Sequence, residues 1–130
     1  MSNSESMEMY LETIHILEKS HGHGHAHGVE IAKRLGVSKP SVSRAMNYLK
    51  EKGLVNKEAY GTITLTTKGK EISRQIYTNH KLISLFLEDS LGLTVNEADE
   101  NACKMEHVLS DRMLEAIEVY LHKKKIKVNR

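Results

Sequence analysis

Two short amphipathic helical patterns joined by Gly-Val-Ser, with an alternating β-branched segment directly behind them, constrain this chain more than any other feature. The first pattern is VEIAKRL, closed by Gly36, the residue type best suited to the left-handed conformation that ends a helix. Ser38 then offers an N-cap, Pro40 fits the first helical turn, and SVSRAMNYLKEK continues the second helix until Gly53. This spacing predicts a helix-turn-helix. In LVNKEAYGTITLT, Leu54 to Lys57 and Thr62 to Thr66 alternate, and Tyr60-Gly61 supplies a turn signal between them. A hairpin placed behind the second helix makes the expected unit a winged helix.

Helical periodicity surrounds that unit. Met9, Leu11, Ile14 and Leu17 place a helix over Ser6 to Lys19. A longer one runs from about Lys68 to Leu91, carried by Ile72, Ile76, Leu82, Ile83, Leu85 and Phe86. Gly92 stops it, Thr94 with Glu97 forms a capping box for the next helix, and a last helix begins near Ser110. The expected fold class is mainly α: an N-terminal winged helix-turn-helix over 1–70 and an all-helical domain over 71–130. A chain of 130 residues is long enough for one core or two small units. Its hydrophobic content of 39% and charged content of 28% are those of a soluble globular protein, with no apolar run long enough to span a bilayer. MSNSESMEMY lacks the basic-then-apolar pattern of a secretory signal, and Cys103 is the single cysteine, so a reducing cytoplasmic location is expected.

The formal net charge of +2 hides an asymmetry. From Val29 to Lys57 seven basic residues face Glu30 and Glu51, a local balance of +5. Between Glu88 and Glu106 six acidic residues face only Lys104, a balance of −5. The first segment suits a polyanion and the second suits cations.

In a helix-turn-helix the second helix enters the major groove by its N-terminal end. That end presents Ser38, Lys39, Pro40, Ser41, Ser43 and Arg44. Arg44 can read guanine through two hydrogen bonds, and Ser41 and Pro40 can meet a base edge or a thymine methyl. Ser38, Lys39, Ser43 and Lys50 suit phosphates, and Tyr60 and Thr62 on the wing suit the flanking backbone. No aromatic platform for single strands is present, which favours double-stranded DNA as the partner.

Within CKMEH, Cys103, Glu106 and His107 stand at i, i+3 and i+4, so a helix brings them to one face. Thiolate, carboxylate and imidazole together make a divalent transition-metal set. Met9 and Glu12 share an i, i+3 relation and offer two more donors, although spacing alone does not bring the two helices together. A second metal-coloured segment is HGHGHAHG, His21 to Gly28, in a chain with 8 histidines. It falls between the first helix and the helix-turn-helix, where alternating glycines break helical structure. It reads as a loop that collects nickel, zinc or copper weakly, with no evident mechanical link to DNA reading.

MEMYLETIH, AKRLGVSKPSVSRAMNYLKEKGLV, YGTITLTTKG, NHKLISLFLEDSLGL and ACKMEHVLSD closely resemble the diphtheria toxin repressor family, including its manganese-sensing branch, over Met7 to about Leu121. The resemblance implies a homodimeric, metal-dependent transcriptional repressor whose C-terminal helices bind metal and dimerise. It places the ion between the first helix and those helices, where it fixes the spacing of two DNA-reading helices on an operator. By position, Met9, Cys103, Glu106 and His107 match ligands of the iron branch, and Glu12 and His80 match ligands of the manganese branch. The implied cofactor is Fe²⁺ or Mn²⁺. Ser84 and Asp99 depart from the iron branch's ancillary carboxylate and histidine, Cys103 and Met9 depart from the manganese branch, and the sequence ends before the SH3-like third domain of longer members. Two rival readings stay open: a metal buffer or chaperone built on the His-rich loop, and a metal-independent winged-helix regulator. An enzyme is not expected, since no HExxH, nucleophile triad or phosphate loop is present.

Overall fold

The structure is a computed structural model, and it describes residues 5–20, 25–58 and 61–128. The elements run α1 (Glu5–Ser20), β1 (Ala26–His27), α2 (Gly28–Leu35), α3 (Lys39–Glu51), β2 (Val55–Lys57), β3 (Thr62–Leu65), α4 (Thr67–Leu91), α5 (Val95–Met105) and α6 (Asp111–Lys123). They divide into two compact units, Met1–Arg74 and Gln75–Arg130.

In the first unit, the turn between α2 and α3 forms as its residues demand. Gly36 takes a left-handed φ of 67° and donates its N–H to Ala32 O, ending α2. Ser38 Oγ accepts from the Ser41 N–H at 3.2 Å, satisfying one of the open donors at the start of α3. Leu11, Ile14 and Leu17 of α1 are buried, as are Ile31 of α2, Val42, Met46 and Leu49 of α3, and Val55, Ile63 and Leu65 of the sheet. Glu18 crosses this apolar region with a purpose: its carboxylate accepts from the Leu65 N–H at 2.9 Å and tethers α1 to the sheet.

The sheet differs from the expected hairpin. It has three strands in the order β1-β3-β2, with Ala26 opposite Ile63 and His27 opposite Thr62. The end of HGHGHAHG is therefore a strand rather than a free loop, while residues 21–24 lie outside the described residues. The physical reason is that β3 has two edges, and the main-chain groups of the one not covered by β2 need partners. Ala26, small enough to be fully buried, lets the segment dock there.

The second unit closes around Leu82, Ile83 and Leu87 of α4, Ala98 and Ala102 of α5, and Ile117 and Leu121 of α6. The Tyr120 hydroxyl donates to Asp89 Oδ2 at 2.7 Å, and its ring meets Phe86 edge-on at 5.2 Å. The capping box at α5 is complete: Thr94 Oγ1 accepts from the Glu97 N–H at 3.1 Å and the Glu97 carboxylate accepts from the Thr94 N–H at 2.9 Å. Thr94→Ala should cost about 1 kcal/mol by chemical denaturation. The Thr94 backbone N–H, with the side-chain hydroxyl, holds the Glu97 carboxyl below its ordinary value. Its contribution is therefore present above the ordinary carboxylate range and lost as pH falls through the lowered folded value. Among the described residues no helix is long and apolar enough to cross a membrane.

Candidate metal centre and nucleic-acid interface

The burial of Ala98 and Ala102 fixes which face of α5 packs inward, and Asp99, Cys103 and Glu106, at i, i+4 and i+7, share a neighbouring face. Glu106 is the C-cap of α5, and His107 follows in the turn. His80 comes from α4. Its Nε2 lies 2.6 Å from Asp99 Oδ1, its Nδ1 lies 3.0 Å from Glu106 Oε2, and Cys103 Sγ is 3.8 Å from the same Nδ1. On the other side of the carboxylate, His107 Nε2 lies 3.2 Å from Glu106 Oε1. The Glu106 side chain, fully buried, is thus held between two imidazoles.

A buried carboxylate demands a compensating positive charge. Here a proton on His80 supplies it: hydrogen bonding to Glu106, aided by Asp99 and opposed by burial, pushes the imidazole up to about 9. The donors gathered here are of the types that can hold a metal ion. One ligand atom each from His80, Cys103 and Glu106 falls within 4.8 Å of the others. An ion with bonds of about 2.0–2.3 Å holds donors roughly 3–4.5 Å apart, so small side-chain adjustments complete the fit. Nitrogen, sulfur and carboxylate oxygen form a mixed set open to several divalent transition metals.

Four of the six expected metal residues, His80, Cys103, Glu106 and His107, meet in this one unit. Met9, 40% exposed, and Glu12, half-buried, lie on α1 in the other unit. Asp99, named from sequence only as a departure from the iron branch's ancillary histidine, holds His80 from the opposite side. Its i, i+4, i+7 relation to Cys103 and Glu106 was the available signal. Ser84 is buried on α4.

The groups expected to meet DNA cluster at the start of α3. Ser38 Oγ donates to Ser41 Oγ at 2.9 Å, and Arg44 Nη2 donates to the same oxygen at 3.3 Å, so the guanidinium rests on the capping hydroxyls. Lys39, Pro40, Ser43 and Lys50 are exposed, Thr62 is half-buried on β3, and Tyr60 lies outside the described residues. Lys57 on β2 donates to Asn47 Oδ1 of α3 at 3.4 Å, joining the wing to the helix.

Comparison with known proteins agrees with both halves. A family model described as "Iron dependent repressor, N-terminal DNA binding domain" matches residues 3–63, and one described as "Iron dependent repressor, metal binding and dimerisation domain" matches residues 66–127. The chain belongs to the iron-dependent repressor family. An uncharacterized HTH-type transcriptional regulator of Methanocaldococcus jannaschii is 41% identical over 125 residues, covering 96% of this chain and 99% of its own length. The diphtheria toxin repressor of Corynebacterium diphtheriae is 32% identical over 114 residues, 84% of this chain and 47% of the relative. The solved structure of the manganese regulator SloR shares 32% identity with a TM-score of 0.72, covering 94% of this chain and 55% of that one. This iron-dependent repressor family member therefore spans about half the length of the diphtheria toxin repressor and of SloR.

Proposed function

We propose that this chain is a cytoplasmic, homodimeric transcriptional repressor that binds duplex operator DNA when Fe²⁺ or Mn²⁺ occupies the centre on α4 and α5. The observation that carries the reading is the buried Glu106 carboxylate, flanked by His80 and His107 and approached by the Cys103 thiol, in a chain whose other unit is a basic winged helix. His80, Cys103, Glu106 and His107 would hold the ion, with Met9 and Glu12 of α1 as further donors. Support for the latter two is their i, i+3 spacing and the family resemblance. The ion supplies positive charge that no side chain of the site carries permanently, and it binds only donors freed of their protons.

Repression requires that the ion bind the DNA-competent arrangement more tightly than the alternative; a coupling of about 1–3 kcal/mol, roughly 5–150-fold, is the usual scale. Sulfur and nitrogen donors favour Fe²⁺ over Mn²⁺ at equal availability, since Mn²⁺ lies lowest in the divalent affinity series. Anomalous diffraction from crystals soaked separately with each ion tests the assignment. The expected result is one strong peak within bonding distance of His80, Cys103 and Glu106, and a peak only at HGHGHAHG would overturn it.

DNA reading by α3 carries its own expectation. Arg44→Ala should weaken specific operator binding by about 1–3 kcal/mol and relax preference at one base pair. Lys50→Ala should instead weaken all duplexes alike and lower the salt dependence by about one counterion. Fluorescence anisotropy with matched and scrambled duplexes separates the two roles.

A further inference from the structure

We propose that His25 and His27 form a second cation site, for a late first-row divalent ion such as Zn²⁺, Ni²⁺ or Cu²⁺, seated on the strand that extends the wing sheet. In extended chain, side chains two apart point to the same side. Ala26 between them is fully buried, so the two imidazoles stand together on the opposite face, and their ring centroids are 5.1 Å apart at 88°. A metal–imidazole bond of about 2.0–2.1 Å puts each ring centroid about 3.2 Å from the ion, so two imidazoles in one tetrahedral sphere have centroids about 5 Å apart. The observed separation already matches that arrangement, and His27 is also the N-cap of α2.

Two surroundings set the character of the site. His27 and Glu30 line an open pocket of about 510 Å³, which leaves space for water beside the His27 ring. Lys39 and Lys57 line the same pocket and oppose a cation, so the site is weaker than the one on α4 and α5. Its interest is its position. His27 pairs with Thr62 on β3, and its backbone N–H donates to the Glu30 carboxylate at the start of α2. An ion on this pair therefore sits where the wing sheet meets the first helix of the helix-turn-helix, giving HGHGHAHG the mechanical link that a free loop lacks. The site does not rest on the proposed repressor mechanism.

The test is a ZnCl₂ titration of the full ¹⁵N-labelled chain, with bound Zn²⁺ counted by equilibrium dialysis. The wild type should show ring-nitrogen shifts at His25 and His27 and backbone amide shifts at Thr62 and Ile63. The double variant His21→Ala/His23→Ala should retain both effects. The double variant His25→Ala/His27→Asn, which keeps a capping side chain at position 27, should bind one Zn²⁺ ion fewer per chain and lose the Thr62 and Ile63 shifts. Unmoved Thr62 and Ile63 amides in the wild type would overturn the proposal without recourse to any variant. So would an unchanged ion count in His25→Ala/His27→Asn, or equal loss in both double variants, which would make the run an unstructured metal collector.

Discussion

Glu106→Gln is expected to weaken metal binding by at least about 100-fold, because removing even an indirect partner of a metal ligand costs 10–100-fold and Glu106 is a proposed direct one. Glutamine keeps the shape and hydrogen-bonding capacity of the side chain but removes the charge between His80 and His107. A purely structural role and a ligand role then separate cleanly in thermal unfolding. At an ion concentration 100 times the wild-type dissociation constant, binding stabilises the wild type by about 2.7 kcal/mol; with 100-fold weaker binding the gain falls to about 0.4 kcal/mol. The variant should therefore lose most of the metal-induced rise in melting temperature, whatever happens to the metal-free value. Full retention of that rise would remove Glu106 from the site.

Gly69→Ala should destabilise the first unit by about 3 kcal/mol, the upper end of the range for overpacking. Gly69 is buried near the start of α4, and a Cβ there would lie 2.1 Å from the carbonyl oxygen of Leu54 and 3.1 Å from its carbon. That carbonyl accepts the Thr66 N–H at 3.0 Å, so it cannot retreat without breaking a bond that continues the β2–β3 pairing just before α4. Alanine in a helix gains about 1 kcal/mol over glycine in intrinsic propensity, which offsets only part of the clash. The neighbour is main chain rather than a flexible side chain, and the clash decides the sign. Urea denaturation of the variant measures it; unchanged or increased stability would contradict the close approach of α4 to Leu54.

The winged helix was legible because its signals are local. Gly36, Ser38 and Pro40 each act on their own backbone, and the capping pair Thr94 and Glu97 needs only its own helix. The proposed metal face of α5 was legible in part for the same reason: Cys103 and Glu106 are one turn apart. The pairing of Asp99 with His80 escaped because the fold delivers His80 from another helix. Strand β1 escaped because glycine and histidine alternation carries no strand propensity, and its pairing depends on an edge of β3 that exists only once the sheet forms. Gly69 was invisible, since nothing near it in sequence reveals that the Leu54 carbonyl will come so close. Local chemistry speaks through sequence, while long-range partners appear only in the folded chain.

The most direct test of metal-dependent repression is selection of bound duplexes from a random DNA pool by the full chain, run in parallel with Fe²⁺, with Mn²⁺ and with a chelator. A homodimer of winged helices predicts enrichment of one two-fold symmetric sequence, its half-sites spaced by about one helical turn or a multiple of it, only where metal is present. Enrichment of the same sequence with the chelator, or of none under any condition, would contradict it.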